Sequence, residues 1–317
     1  MSLEDVMTGE RTSATRRWSR REWLSLVGAA PMCAASAAAQ PSGVRPEALT
    51  LTHRARTLQP GELILLEVRA RASIGEVHGT AFGAPVAFTR VGDVWQGVVG
   101  VDLEAAPGSH VVTARGRDAS GAHVSSTTLR IRPKQFETRR LTVPPKFVTP
   151  PPGTEERIER ERRAVSAILA SPLPERQWQG PFIRPVPGIA LSSFGVRSVY
   201  NGQLRSFHTG TDFRGAEGTP IKAPARGRVV LAEEHYFSGN QVALDHGQGL
   251  FSFFAHLSAF AVVVGDVVTP GDVLGAVGAT GRVTGPHLHW SVRLGRARID
   301  ALSLLSVLGE PTSTAGG

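Results

Sequence analysis

The chain has 317 residues, room for about two domains, and its 41% hydrophobic and 20% charged residues suit a globular protein. A formal charge of +8 favours an anionic polymer as partner; the basic residues are scattered rather than clustered with aromatics and no nucleic-acid motif is present, so nucleic acid is excluded. Thirty-five glycines and 22 prolines favour turn-rich β-structure over helix, and a single cysteine, Cys33, excludes a disulfide framework.

In chain order, residues 1–39 come first. Ser19-Arg20-Arg21-Glu22-Trp23-Leu24 resembles a twin-arginine export signal with Trp in place of Phe. A weakly apolar run from Leu24 to Ala35 follows, then Ala37-Ala38-Ala39, an A-x-A-like cleavage site. Cleavage after Ala39 removes Cys33, five arginines and four acids, and takes the formal charge from +8 to +7. The apolar run is too short for a spanning helix and no later stretch qualifies. The product is expected to be exported: periplasmic, extracellular or cell-wall associated, with no transmembrane span.

Residues 45–133 form a first unit. Glu62–Arg69, Val94–Leu103, His110–Arg115 and Ser125–Arg132 read as strands, with turns at Pro60-Gly61, Val91-Gly92-Asp93 and Pro107-Gly108-Ser109. Short strands at this spacing predict an antiparallel, Ig-like β-sandwich. It carries no chemical signature, so its expected role is to bind, space or occlude, including a regulatory protein partner.

Residues 134–177 read as a linker. Pro144-Pro145 and Pro150-Pro151-Pro152-Gly153 are stiff, extended pieces. A charged helix is expected over 154–170, capped by Thr154, supported by Glu156–Arg160 and Glu159–Arg163, and stopped by Pro172. It reads as a spacer on a domain surface.

The C-terminal unit, 178–303, is β-rich: Gly227–Ala232, Gln241–Asp245, Leu250–His256, Val273–Val277 and His287–Leu294, with a glycine-rich loop from Gly278 to Gly285 as a groove wall. Residues 304–317 read as a tail. Within this unit, His287 and His289 stand two apart in a strand and so share one face. Two imidazoles on one wall suit a metal site or an acid–base pair. His208-Thr209-Gly210-Thr211-Asp212 brings two more groups, joined by a bend at Gly210, and His256 lies inside an apolar run. A catalytic zinc takes three protein ligands and an open position. Five residues supply three ligands and leave two histidines for proton transfer or oxyanion stabilisation.

Ordered motifs over residues 178–303 carry a family resemblance. They include Ser193-Phe194-Gly195-Val196-Arg197, His208–Phe213, Gly218-Thr219-Pro220-Ile221-Lys222-Ala223, Asp245-His246-Gly247, Ala255-His256-Leu257-Ser258, Gly265-Asp266-Val267-Val268 and Thr280-Gly281 through Trp290. The stretch resembles the lysostaphin-type, or LytM-like, zinc metalloendopeptidases, which cut peptide bonds in peptidoglycan. The resemblance implies one zinc ion held by His208, Asp212 and His289, with His256 and His287 as non-ligand catalytic histidines. One of the two takes the proton of a zinc-bound water, and the other serves the oxyanion or the leaving amine. It also implies peptidoglycan as substrate, with the D-alanyl–diaminopimelate cross-link as the expected bond. Two departures stand out: Phe254 replaces a tyrosine common in the family, and Ile299-Asp300-Ala301 replaces Val-Asp-Pro. Tyr200 is a weaker candidate for contacting the tetrahedral oxygen.

Other readings come from other classes. Ala223–Val229 and Val264–Asp272 resemble the hammerhead strands of biotinyl and lipoyl carriers, but the unit's one lysine, Lys222, precedes the strand that would present it. The alternative within the family is a non-catalytic LytM-like factor that binds cell wall or activates a partner hydrolase. His246 reads as a hairpin-turn residue, and His235 as structural.

Overall fold

A computed structural model describes residues 47–141, 151–192, 194–200 and 203–310. The export segment with Cys33, Pro144-Pro145 and residues 311–317 of the expected tail lie outside the described residues. The described part is nearly all β, with two helices, Glu155–Ala170 and Ala301–Leu308. Neither is long and apolar enough to cross a membrane.

Residues 49–131 fold into two four-stranded antiparallel sheets. One takes the order Leu49–Ala55, Leu63–Ala70, Val94–Gly100, Thr89–Val91; the other Ala84–Ala87, Val77–Ala81, Gly108–Asp118, Gly121–Ile131. The inner faces meet in a core of Ile64, Leu66, Val68, Val112, Ala114 and Leu129. Alternation governs these strands: Gly121–Ile131 reads part-buried and exposed by turns until Leu129 and Ile131 enter the core.

Strand Leu63–Ala70 departs from that pattern. Leu63 and Leu65, on its other face, are fully buried in the core of the C-terminal unit, beside Trp178, Val292 and Leu304. The run Leu63-Ile64-Leu65-Leu66 is continuously apolar because both faces are covered. Polar groups close the same junction. Arg56 bonds Glu62 at 2.6 Å and Asp300 at 2.7 Å. Ser303 joins Leu63 N to the Glu62 carboxylate, and Arg298 ties to Asp102 and Glu104. The two β units are therefore packed as one body rather than strung on a linker.

The C-terminal unit is a ten-stranded sheet whose main path includes Thr211–Phe213, Leu288–Leu294, Leu250–Phe260, Gly239–Asp245 and Gly227–His235 as successive neighbours. Three boundaries differ from the sequence expectation. Thr138–Leu141, inside the expected linker, forms a parallel strand against Arg197–Tyr200, because Phe136 anchors it edge-on to Phe194. Residues 304–308, assigned to the tail, complete the helix Ala301–Leu308, whose Leu304 and Val307 are buried and whose N-terminus is capped by Asp300. Thr154 does not cap the first helix: its backbone is helical and its hydroxyl donates to Pro151 O. Of the two expected helix pairs, Glu159 meets Arg163 at 3.5 Å; the shorter contact is Arg157 to Glu161, 2.7 Å. That helix lays Val165, Ile168 and Leu169 on Leu231, Ala243, Phe251 and Phe253 of the sheet.

Candidate metal centre and cleft

Register assembles the centre. Asp212 is paired directly with His289 across two antiparallel strands, and directly opposed side chains share a face. Leu288 and Trp290 are fully buried, so alternation sends His287 and His289 to the opposite side, into the cleft. The chain bends at Gly210 and returns His208 to the same point. His208 Nε2, Asp212 Oδ1 and His289 Nδ1 form a triangle with edges of 3.0, 3.1 and 2.9 Å. Four-coordinate zinc with ligands at about 2.0–2.1 Å spaces them about 3.3 Å apart. Two ring nitrogens and one carboxylate oxygen aimed at one point fit that ion. Without a cation, two imidazole nitrogens 3.1 Å apart compete for one carboxylate oxygen.

Ring nitrogens of His289, His256 and His287 meet fixed partners. Ser291 Oγ lies 2.8 Å from His289 Nε2, and with a metal ion on Nδ1 it would accept the Nε2 proton. Gly210 makes this possible: a Cβ there would sit 2.5 Å from His289 Nε2 and 2.7 Å from Ser291 Oγ. His256 Nδ1 is 2.9 Å from Thr280 O, and His287 Nδ1 is 2.9 Å from Gly285 O. A carbonyl only accepts, so both Nδ1 atoms carry a proton, and Nε2 is the atom each ring turns to the cleft. The His256 and His287 rings lie 5.1 Å apart, and His287 Nε2 is 3.6 Å from Asp212 Oδ1.

His256 reaches the cleft by breaking the strand. Val242 pairs with Phe254 and Asn240 with Leu257, so Ala255 and His256 together face Gln241 alone. This is a β-bulge, and His256 is its left-handed residue, φ 68°. Regular alternation would send His256 to the side of Phe254, which is buried and stacked on Trp290. The bulge turns it to the opposite face. Strain of this kind at a non-glycine residue marks functional positions.

Electrostatics follow the geometry. Burial alone raises the Asp212 carboxyl, but hydrogen bonds from His208 and His289 outweigh it and hold the group far below the usual carboxylate range. Burial, with His289 nearby, pushes the His256 imidazole down to about 4 against the pull of Thr280 O. His289 is lowered by burial too.

The cleft has a volume of about 430 Å³ and holds all five sequence candidates. Arg282, Val283 and Thr284 line it, so the glycine-rich loop is a wall. Arg282 is held over the Phe237 ring at 4.5 Å. The side chain of Tyr200 lies outside the described residues. His246 is fully buried away from the cleft, bonded to Arg226 O and Ser252 Oγ, and His235 pairs with Glu233. Phe254 faces the core, not the cleft. Sequence reasoning missed Ser291, Thr280 and Arg139. Ser291 was findable, since it stands two residues from His289 on the same face; Thr280 and Arg139 arrive only through tertiary contact.

Residues 206–301 match Peptidase family M23. A Pseudomonas aeruginosa chain solved as a peptidase M23 is 33% identical, with 80% of this chain and 96% of that one covered and a TM-score of 0.60. DD-carboxypeptidase/endopeptidase Mpg of Neisseria meningitidis serogroup B is 38% identical over 123 residues, 38% of this chain and 28% of that protein. Peptidoglycan DD-endopeptidase ShyA of Vibrio cholerae serotype O1 is 39% identical over 95 residues, 30% of this chain and 22% of that protein. The match thus spans less than a third of the length of these two curated relatives.

Proposed function

Because the chain belongs to peptidase family M23, we propose that it is a zinc-dependent endopeptidase that hydrolyses peptide cross-links of bacterial peptidoglycan, with the D-alanyl–diaminopimelate bond as its target. One observation carries the reading: three ligand-type atoms converge within about 3 Å of one another while two further histidines, each anchored through Nδ1 to a carbonyl oxygen, line the same cleft. The names of the Neisseria and Vibrio relatives support the substrate class. Export by residues 1–39, and a regulatory partner for the sandwich, belong to the same proposal.

His208, Asp212 and His289 would hold the zinc. When bound, the ion supplies a water of lowered pKa and polarises the scissile carbonyl. Ser291 fixes the ring of His289, and Gly210 admits that contact. Of His256 and His287, one accepts the water proton at Nε2, and the other, carrying a proton at Nε2 for that step, hydrogen-bonds the developing oxyanion or protonates the leaving amine. Their Nδ1–H bonds to Thr280 O and Gly285 O fix both rings and leave Nε2 as the atom that exchanges the proton. The bulge conformation sets the angle of His256.

The test is incubation of the full chain with purified cross-linked peptidoglycan, with and without chelator and with zinc restored, followed by mass spectrometry of the fragments. Loss of cross-linked dimers that is abolished by chelator and restored by zinc is the expected result, and the masses identify the bond. Intact dimers in every arm, with stimulation of a second wall hydrolase, would replace this reading by that of a non-catalytic activator.

A further inference from the structure

Strand Leu288–Leu294 presents His289, Ser291 and Arg293 on one face, since strand side chains alternate. Four residues of extended chain place the Cα of Arg293 about 13 Å from that of His289. All three line a cavity of about 560 Å³ that lies against the helix Glu155–Ala170. Thr209, Phe237, Ser238 and His289 line both this cavity and the catalytic cleft, so the two form one groove. This groove offers a peptide that crosses the metal centre a path along the helix.

The walls of this arm are positively charged. Arg162, Arg293 and Arg296 line it, and the one carboxylate on its wall, Glu161, is taken up by Arg157 and by the backbone N–H of Tyr236. Arg162 is held by Glu159. Among the described residues, neither Arg293 nor Arg296 has a carboxylate within ion-pair distance. Arg293 is largely removed from water, between the backbones of Phe251 and Arg298. Burial, with Arg298 adding repulsion, pushes its guanidinium down to about 10; Asp102 attracts it but is bonded to Arg298. A desolvated charge without a partner is unfavourable, and a carboxylate entering the groove would relieve it.

We propose that Arg293, assisted by Arg296, forms a carboxylate-binding subsite beside the helix, which holds a free carboxylate of an anionic peptide about four extended residues from the scissile bond. Guanidinium matches carboxylate with two parallel hydrogen bonds, which gives register as well as affinity. The helix then acts as a groove wall in addition to its packing on the sheet. This deepens the peptidase reading and rests on it for the position of the scissile bond.

The test uses the full chain and one cross-linked muropeptide in two forms, with free carboxylates and with those carboxylates amidated. Both cleavage kinetics and direct binding to chelator-treated protein by calorimetry are measured, for wild type, Arg293→Gln, Arg293→Lys and Arg296→Gln. Wild type is expected to prefer the free-carboxylate form by about tenfold or more in kcat/KM, through KM, and by a similar factor in Kd. Arg293→Gln abolishes the preference, Arg293→Lys restores part of it, and Arg296→Gln reduces it about threefold. An unchanged preference in Arg293→Gln, with thermal unfolding like wild type, overturns the subsite. Should wild type cleave neither form, the peptidase reading fails, and the binding preference still decides for or against the subsite.

Discussion

The two β units obey the same alternation, yet only one is built for chemistry, and the difference lies in where register breaks. In the sandwich, Leu49–Ala55 pairs with Leu63–Ala70 over seven consecutive residues, and Gly108–Asp118 with Gly121–Ile131 over eleven, without a shift. In the peptidase sheet, register shifts interrupt the pairings at Ala190/Ser192, Ile221/Lys222, Val229/Leu231, Asn240/Val242 and Leu257/Ala259. One of these bulges aims His256. Uninterrupted pairing gives a stable surface whose side chains have two directions available; a bulge supplies a third, at the expense of a ladder bond.

The contrast can be broken at its sharpest point by Asp212→Ala. It removes one ligand from the sheet without touching the core, so zinc content should drop from one per chain to near none and cleavage should cease, with an unchanged far-ultraviolet spectrum. Mass-spectrometric metal analysis checks it; retained zinc would show that the ligands lie elsewhere. His256→Ala, at the bulge, should keep zinc while turnover falls about 10²–10⁴-fold. Loss of metal from this variant would contradict the role given to His256.

Leu63→Ala sharpens the comparison from the sandwich side. Because Leu63 packs in the core of the peptidase unit, the substitution should lower stability by about 2–5 kcal/mol. Calorimetry should still show one transition for both units. Two separated transitions would mean that the units fold independently. A smaller, pH-dependent effect is expected from His246. Its fully buried ring is pushed by burial from 6.5 to about 4. Above pH 6.5 the ring is neutral in both states and contributes nothing; between 6.5 and 4 only the unfolded chain takes the proton, so stability falls as pH falls. The total is roughly 3 kcal/mol. Urea midpoints from pH 7 to 4 should fall less steeply in His246→Gln than in wild type, and parallel curves would refute the assignment.

How much of this was legible in the sequence follows the same division. His287 and His289 share a face by simple alternation, and the bend at Gly210 follows from its place between His208 and Asp212. The fold class was readable from strand patterning and turns, although two sandwich strands that do alternate, Leu49–Ala55 and Val77–Ala81, were not among the strands read from it. Three features were not local. The bulge at His256 depends on its pairing with Gly239–Asp245. The double burial of Leu63–Leu66 depends on a second unit covering the outer face. The strand Thr138–Leu141 depends on Arg197–Tyr200 to pair with. Asp300 shows the same limit: it reads as a family departure, but in the fold it caps the last helix, binds Arg56 and accepts from Thr211, the residue beside Asp212.

The most direct measurement is anomalous diffraction at the zinc edge from crystals of the zinc-loaded protein. A single peak about 2.0–2.2 Å from His208 Nε2, Asp212 Oδ1 and His289 Nδ1 is predicted, with His256 and His287 outside bonding distance. A peak at another set of residues, or coordination by His256 or His287, would contradict the assignment of ligands and catalytic histidines.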